Sequence, residues 1–335
     1  MAKLVTIFGG SGFVGRYVAR RLAKDGWRVR AACRNPNEAL FLRTYGVVGQ
    51  VEPVFANIRD DDSVRAAIRG ADAVVNCAGT FDTRGRNDAE AVQQHGAGRV
   101  ARIAAEEGVR RLVHISAIGA DADGKSEYAR TKARGEALVS GAFPGAVILR
   151  PSVVYGPEDQ FFNRFAGMAR TSPVIPVVGG RTRFQPVFVD DVAAAVVAAV
   201  DDPAASGVYE LGGPDVHTFR ELMEQMLDVI RRKRAVVNLP FGLAGLMARV
   251  AEVGNVMTFG LSPQPITPDQ VAQLHHDNVV ADGAKGFADL GIQPRAMEAE
   301  LADYLWRFRP SGQYSDIKQS AQNIRGGGSG RAGFS

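Results

Sequence analysis

The chain has 335 residues, of which 46% are hydrophobic and 23% charged, and it carries a formal charge of +4. That length and composition build a large globular core with no need of a disulfide or metal staple. The charge permits an anionic cofactor or surface, but the basic residues are scattered and no nucleic-acid-binding motif is present, so neither a nucleic-acid partner nor a bound metal is expected.

The first 155 residues alternate short apolar runs with longer amphipathic ones. Leu4–Phe8 reads as a strand. Phe13–Lys24 has helical periodicity, with Val14, Val18 and Leu22 on one stripe. Arg28–Cys33 and residues 51–56 read as strands, 61–69 as a helix and 73–77 as a strand. Residues 89–107 form a long helical pattern ended by Gly108. Arg111–Ile115 is a further strand, 127–140 a helix and 146–149 a sixth strand. Strands alternating with helices imply βαβ units, and near-continuous apolar strands imply a parallel sheet covered on both faces. The expected fold is therefore α/β, a doubly wound Rossmann-type parallel sheet.

After Pro151 the rhythm changes. Pro157, Pro173, Pro176 and Pro186 punctuate a looser stretch. Residues 187–200 then read as a strand leading into a helix, with Asp190 and Asp191 as N-cap candidates. Gly207–Leu211 is a short strand and 219–231 an amphipathic helix. The expected organisation is a nucleotide-binding domain over 1–155, rejoined by 186–212, and a smaller, mostly α lobe over 156–185 and 213–310. A tail over 311–335 contains the linker-like Gly326-Gly327-Gly328-Ser329-Gly330. Residues 240–261 are apolar and rich in Gly and Met, which suits either a buried lobe helix or a surface lying on a membrane or partner.

The two cysteines, Cys33 and Cys77, close apolar strand-like runs and read as buried, unpaired thiols. Residues 1–5 run straight into a strand with no signal segment, so the expected location is the reducing, cytoplasmic side. No apolar run of about 18 residues is present to span a membrane.

Chemistry enters first at Gly9-Gly10-Ser11-Gly12-Phe13-Val14-Gly15, between a strand and a helix. In a βαβ unit this spacing marks a dinucleotide-binding turn. Gly9 permits the sharp bend, Gly12 lets the backbone approach a pyrophosphate, and Gly15 lets the helix pack on the sheet. The helix N-terminus then offers amides and a positive dipole end to the phosphates. NAD-selective sites place an acidic residue after the second strand. Here Arg34 stands there, and Arg16 follows the loop, so two cations suit the 2′-phosphate of NADPH better than the bare ribose of NAD.

The chain resembles the short-chain dehydrogenase/reductase superfamily in its extended or atypical branch. The motifs that carry the likeness, in order, are the glycine loop, Asn76-Cys77-Ala78-Gly79, Val113-His114-Ile115-Ser116, Tyr128-Ala129-Arg130-Thr131-Lys132, and Arg150-Pro151-Ser152-Val153-Val154-Tyr155-Gly156-Pro157. The resemblance implies a catalytic set of Ser116, Tyr128 and Lys132. Tyr128 and Lys132 are one helical turn apart, so that the ammonium can favour tyrosinate and hold a ribose. It also implies cofactor contacts from Asn57, Ile58, Cys77, Ala78, Gly79, Pro151, Val153 and Val154. Ala117 stands where many members have a second hydroxyl, Gln93 where many have a structural asparagine, and Asn57 where many have an aspartate.

A narrower likeness runs to about Arg309. It rests on residues 143–146, 150–161 and 185–192 (Gln185-Pro186-Val187-Phe188-Val189-Asp190-Asp191-Val192), then Ile266-Thr267-Pro268-Asp269-Gln270-Val271 and Asp289-Leu290-Gly291-Ile292. These resemble the accessory nucleotide-binding subunits of respiratory complex I, in a compact, bacterial-type form. That likeness implies NADPH held as a structural cofactor, other complex I subunits and phospholipid as partners, and a peripheral place on the cytoplasmic side of the inner membrane. The alternative it leaves open is an NADP-dependent reductase or sugar-nucleotide epimerase using Ser116, Tyr128 and Lys132.

Overall fold

The structure, a computed structural model, describes residues 3–82, 85–246, 267–310 and 312. In chain order the strands are β1 (Leu4–Phe8), β2 (Arg28–Cys33), β3 (Val51–Phe55), β4 (Ala73–Asn76), β5 (Arg111–Ile115), β6 (Val147–Pro151), β7 (Val154–Tyr155), β8 (Val174–Val178), β9 (Arg183–Phe184), β10 (Val187–Phe188), β11 (Gly207–Leu211), β12 (His217–Thr218) and β13 (Ala235–Leu239). The longer helices are α1 (Phe13–Lys24), α2 (Asp61–Ile68), α3 (Ala97–Glu106), α4 (Glu127–Ala142), α5 (Phe162–Thr171), α6 (Val189–Asp201) and α7 (Phe219–Val229). Seven strands form one parallel sheet in the order β11-β6-β5-β4-β1-β2-β3.

The alternation of side chains explains why these strands are apolar throughout. Val75 and Val113 enter the core shared with α1 and α6, where Val18, Leu22, Val192 and Val196 lie. Their neighbours Val74 and Leu112 enter the other core with Val64, Ile68, Val100, Ile103 and Val139 of α2, α3 and α4. Each fully buried aliphatic side chain contributes about 1.5–3 kcal/mol, so both faces need their helices. The chain diverges from the sheet centre between β1 and β4, which opens a crevice at the carboxyl ends of those strands.

Three small two-stranded sheets, β7 with β10, β8 with β13 and β9 with β12, build the second lobe with α5, α7 and the helix Met297–Leu305. Tyr304 of that last helix donates to the buried Asp159 carboxylate at 2.7 Å. The proline-punctuated stretch is thus more ordered than its sequence suggests, since α5 and β8 lie within it.

Two local expectations need correction. The helix expected over 89–107 is α-helical only from Ala97, because Glu90–Gly96 winds as a wider π turn. Gly135 of α4 presses on that turn so closely that a Cβ there would lie 2.1 Å from the Gln93 carbonyl oxygen. A widened turn accommodates such an approach. Asp190 and Asp191 are not N-caps: Phe188 holds that position, and both carboxylates sit in the first turn of α6. Asp190 instead takes a two-point grip from Arg21, 2.8 Å to each oxygen, and a bond from Arg295 at 2.9 Å. The tail over 311–335, apart from residue 312, and residues 247–261 of the apolar stretch lie outside the described residues.

Candidate functional site

The glycine loop leaves β1 at the crevice. Gly9 has φ +71°, and a Cβ on it would lie 3.0 Å from the Cys77 carbonyl and the Ala78 amide. Only glycine combines that backbone with that closeness. At Gly15 a Cβ would lie 2.2 Å from the Gly9 oxygen, so the helix start and the loop are pressed together. The N-cap of α1 is Gly12, with no side-chain cap and no acidic residue in the first turn. By contrast α2, α4 and α7 are capped by Asp60, Ser126 and Thr218. An uncapped N-terminus behind a glycine cradle fits a pyrophosphate.

Arg34 follows directly on β2. Its side chain is exposed and makes no ion pair or hydrogen bond among the described residues. Arg16 differs from the expectation of a second free cation. It donates back to the Gly12 carbonyl at 3.2 Å and the Ser11 carbonyl at 3.1 Å, pairs with Glu158 at 3.5 Å and lies over the Phe41 ring. Its charge braces the loop. Asn57 and Ile58 follow β3. The Asn57 oxygen accepts from the Arg59 amide, which closes a turn, and Ile58 packs on Gly96.

The carboxyl ends of β4, β5 and β6 carry the remaining positions. Cys77, Ala78 and Gly79 follow β4, with the Asn76 side chain accepting from the Ala78 amide at 3.1 Å. Burial pushes the Cys77 thiol up to about 12, so it stays protonated. Ser116 follows β5, is buried, and its hydroxyl has no partner among the described residues. A buried hydroxyl of this kind calls for a partner, which a bound ligand would supply. Pro151 ends β6, and Val153 and Val154 run from there into β7.

Helix α4 brings in Tyr128 and Lys132. Lys132 is buried, donates to the Ile115 carbonyl at 3.1 Å, and its Nζ lies 5.8 Å from the Tyr128 ring centroid. Burial lowers the ammonium to about 8, against the opposing pull of Glu136. Burial moves the Tyr128 phenol above its ordinary range. Its ring is covered by Phe81, stacked at 4.8 Å between centroids and 15° from parallel. Below Lys132, Glu136 accepts two bonds from Arg150, at 2.9 and 2.6 Å. His114 is buried beside them, takes a contact from the Asn76 amide at 3.2 Å, and is held neutral with its pKa near 3.

Three residues at this site lie outside the expected set of site residues. Phe81 covers Tyr128. Asp269, on the short helix Pro268–Gln273, accepts from the amides of Glu127 and Tyr128 at 2.6 and 3.3 Å and from the Ser126 hydroxyl at 2.9 Å. Asn278 faces the Ser152 hydroxyl with its Oδ1 at 2.6 Å, accepts from the Val153 amide at 3.1 Å and donates to the Ile118 carbonyl at 3.2 Å. Among the described residues no His, Cys, Asp and Glu cluster has metal-binding geometry.

Comparison with known proteins fits this geometry. Residues 5–212 match the NAD dependent epimerase/dehydratase family, whose cofactor is a nicotinamide dinucleotide. The mitochondrial NADH dehydrogenase (ubiquinone) 1 alpha subcomplex subunit 9 of Arabidopsis thaliana is 38% identical over 317 residues, 92% of this chain and 79% of that one. The mitochondrial 40 kDa subunit of NADH-ubiquinone oxidoreductase from Neurospora crassa is 30% identical over 321 residues, 96% of this chain and 83% of that one. Among solved structures, the Thermus thermophilus UDP-glucose 4-epimerase in complex with NAD superposes with a TM-score of 0.64 at 19% identity, covering 92% of this chain and 99% of its own. That last likeness speaks for the fold. The chain belongs to the NAD dependent epimerase/dehydratase family and, within it, to the group of the complex I alpha-subcomplex subunit 9 proteins.

Proposed function

We propose that this chain is a non-catalytic accessory subunit of respiratory complex I. It holds NADPH as a structural cofactor and braces the junction of peripheral arm and membrane near the quinone site. The observation that carries the reading is the near full-length likeness to the alpha-subcomplex subunits, which runs through the second lobe as well as the nucleotide fold. The geometry of the site supports the rest. Arg34 has no ion-pair partner among the described residues and stands where an NAD site would have a carboxylate, so the phosphorylated cofactor is favoured. Gly9 to Gly15 hold the pyrophosphate, Asn57 and Ile58 border the adenine, and Cys77 to Gly79, Ser116, Tyr128, Lys132, Pro151, Val153 and Val154 surround the nicotinamide end. The Phe81 ring stacked on Tyr128 narrows a substrate's approach to the phenol.

In this reading residues 1–155 with 186–212 hold the nucleotide, while 156–185 with 213–310 face partners. No helix among the described residues is long and apolar enough to cross a membrane. The likeness to complex I subunits supports a peripheral place, on the cytoplasmic face of the inner membrane or the matrix face in mitochondria. Leu243 and Leu246 are exposed and offer apolar surface to lipid. Gentle purification from native membranes tests the proposal. The chain should co-migrate with other complex I subunits and release NADPH on denaturation, as read by mass spectrometry. A chain that runs free of them refutes it.

A second reading, an NADP-dependent reductase, is favoured by the survival of Ser116 at the carboxyl end of β5 and of Tyr128 and Lys132 on α4. Single-turnover oxidation of bound NADPH by a panel of carbonyl compounds, lost in Tyr128→Phe, would establish it.

A further inference from the structure

We infer that residues 267–278 form a strap that locks the nucleotide in place, with Asp269 and Asn278 as its two positioning residues. The inference rests on the nucleotide-holding reading of the site. Its first anchor is Asp269, whose carboxylate accepts from the Glu127 and Tyr128 amides and the Ser126 hydroxyl of α4 and also from Gln273 in its own helix at 3.1 Å. The N-terminus of α4 thus binds a carboxylate that itself sits in the first turn of a second helix, a charge-assisted arrangement that favours the docked state. The second anchor is Asn278, nine positions later, whose side chain and backbone engage Ser152, Val153, Ile118, Arg183 and Gln185. Between them, the Leu274 carbonyl accepts from the Thr182 hydroxyl at 2.6 Å and Asp277 pairs with Arg183 at 2.8 Å.

The two anchors grip the backbone of two separate segments: the amide of Tyr128 on α4 and the amide of Val153 after β6. Both belong to segments assigned to the cofactor. By tying those two segments together the anchors hold them closed around a seated nucleotide, and so slow its release. The carboxylate also fills the N-terminus of α4, the place where an anionic group of a substrate would otherwise dock beside Tyr128.

The test is nucleotide exchange in the full chain. Protein loaded with NADPH is chased with excess NADP⁺, and the loss of bound-NADPH fluorescence is followed. Asp269→Ala and Asn278→Ala should each release NADPH about tenfold faster than the unaltered chain, a change of ~1.4 kcal/mol. Asp269→Asn, which keeps the shape and loses the charge, should fall between, and it carries the test where Asp269→Ala does not fold. Release at the unaltered rate in variants whose melting temperature drops would overturn the strap and leave a purely structural contact. So would unaltered protein that exchanges as fast as Asp269→Ala. Neither outcome touches the accessory-subunit reading, which co-purification decides. A chain free of complex I that still shows Asp269-dependent release keeps the strap and loses that reading.

Discussion

The ring of Phe81 lies flat on the ring of Tyr128, with centroids 4.8 Å apart, although Phe81 is itself 63% exposed. An exposed aromatic held in this way screens its partner more than it stabilises the fold. Stacked aromatic pairs contribute about 0.5–1.5 kcal/mol beyond buried area. Phe81→Ala should therefore lower stability to denaturant by about 1 kcal/mol. Nitration of Tyr128, read by peptide mass spectrometry, should rise strongly in the same variant. Equal nitration in both proteins would show that Phe81 does not shield the phenol.

Arg34 and Arg16 look alike in the sequence and differ in the structure. Arg16 spends its donors on the loop's own carbonyls and on Glu158, whereas Arg34 is unengaged among the described residues. Arg34→Glu replaces attraction by repulsion at the 2′-phosphate. A charge-assisted bond is worth about 1.5–3 kcal/mol, so NADPH affinity should fall roughly 10- to 100-fold. NADH affinity should change little. Calorimetric titration of both nucleotides reads the difference, and parallel losses would remove Arg34 from the phosphate site.

What was legible in the sequence is what local spacing dictates. The strands β1, β2 and β5 and helix α1 run over the residues their periodicity marks, because apolar runs and a glycine turn need no distant partner to be read. The match of Tyr128 to Lys132 on one face of α4 is likewise a consequence of helical pitch. What was not legible comes from far along the chain. Asp269 reaches Ser126 across 143 positions, and Asn278 reaches Ser152 across 126. The Thr267 and Gln270 capping box announces a helix start but not where that helix docks. The π turn before α3 is equally silent, since its cause is the backbone of Gly135 pressing from another helix.

Glu136 and Arg150 form a largely buried two-point pair one turn below Lys132. Removing one partner of such a pair leaves a buried charge uncompensated, which costs about 3–5 kcal/mol. Glu136→Ala should destabilise by about that much in urea unfolding, because Arg150 keeps only the longer contact to Glu210 at 3.5 Å. The double variant Glu136→Leu with Arg150→Met should recover most of the loss. A double variant as weak as the single would locate the cost in packing, not in the orphaned charge.

His114 should weaken the fold in acid. Burial, aided by the nearby Lys132 charge, lowers its pKa from the ordinary value of 6.5 to about 3. Between those values the unfolded chain binds a proton that the folded chain refuses, so stability rises with pH across the window and is lost as pH falls from 6.5 towards 3. One such group gives a slope of about 1.4 kcal/mol per pH unit. His114→Gln keeps a polar side chain beside Asn76 and removes the titration. Urea unfolding from pH 7 down to pH 4 should show a shallower loss of stability in the variant, by close to that slope. Parallel curves would mean that other groups, such as the carboxylates of Asp61 and Asp72 that arginines and a backbone amide hold low, govern the acid side.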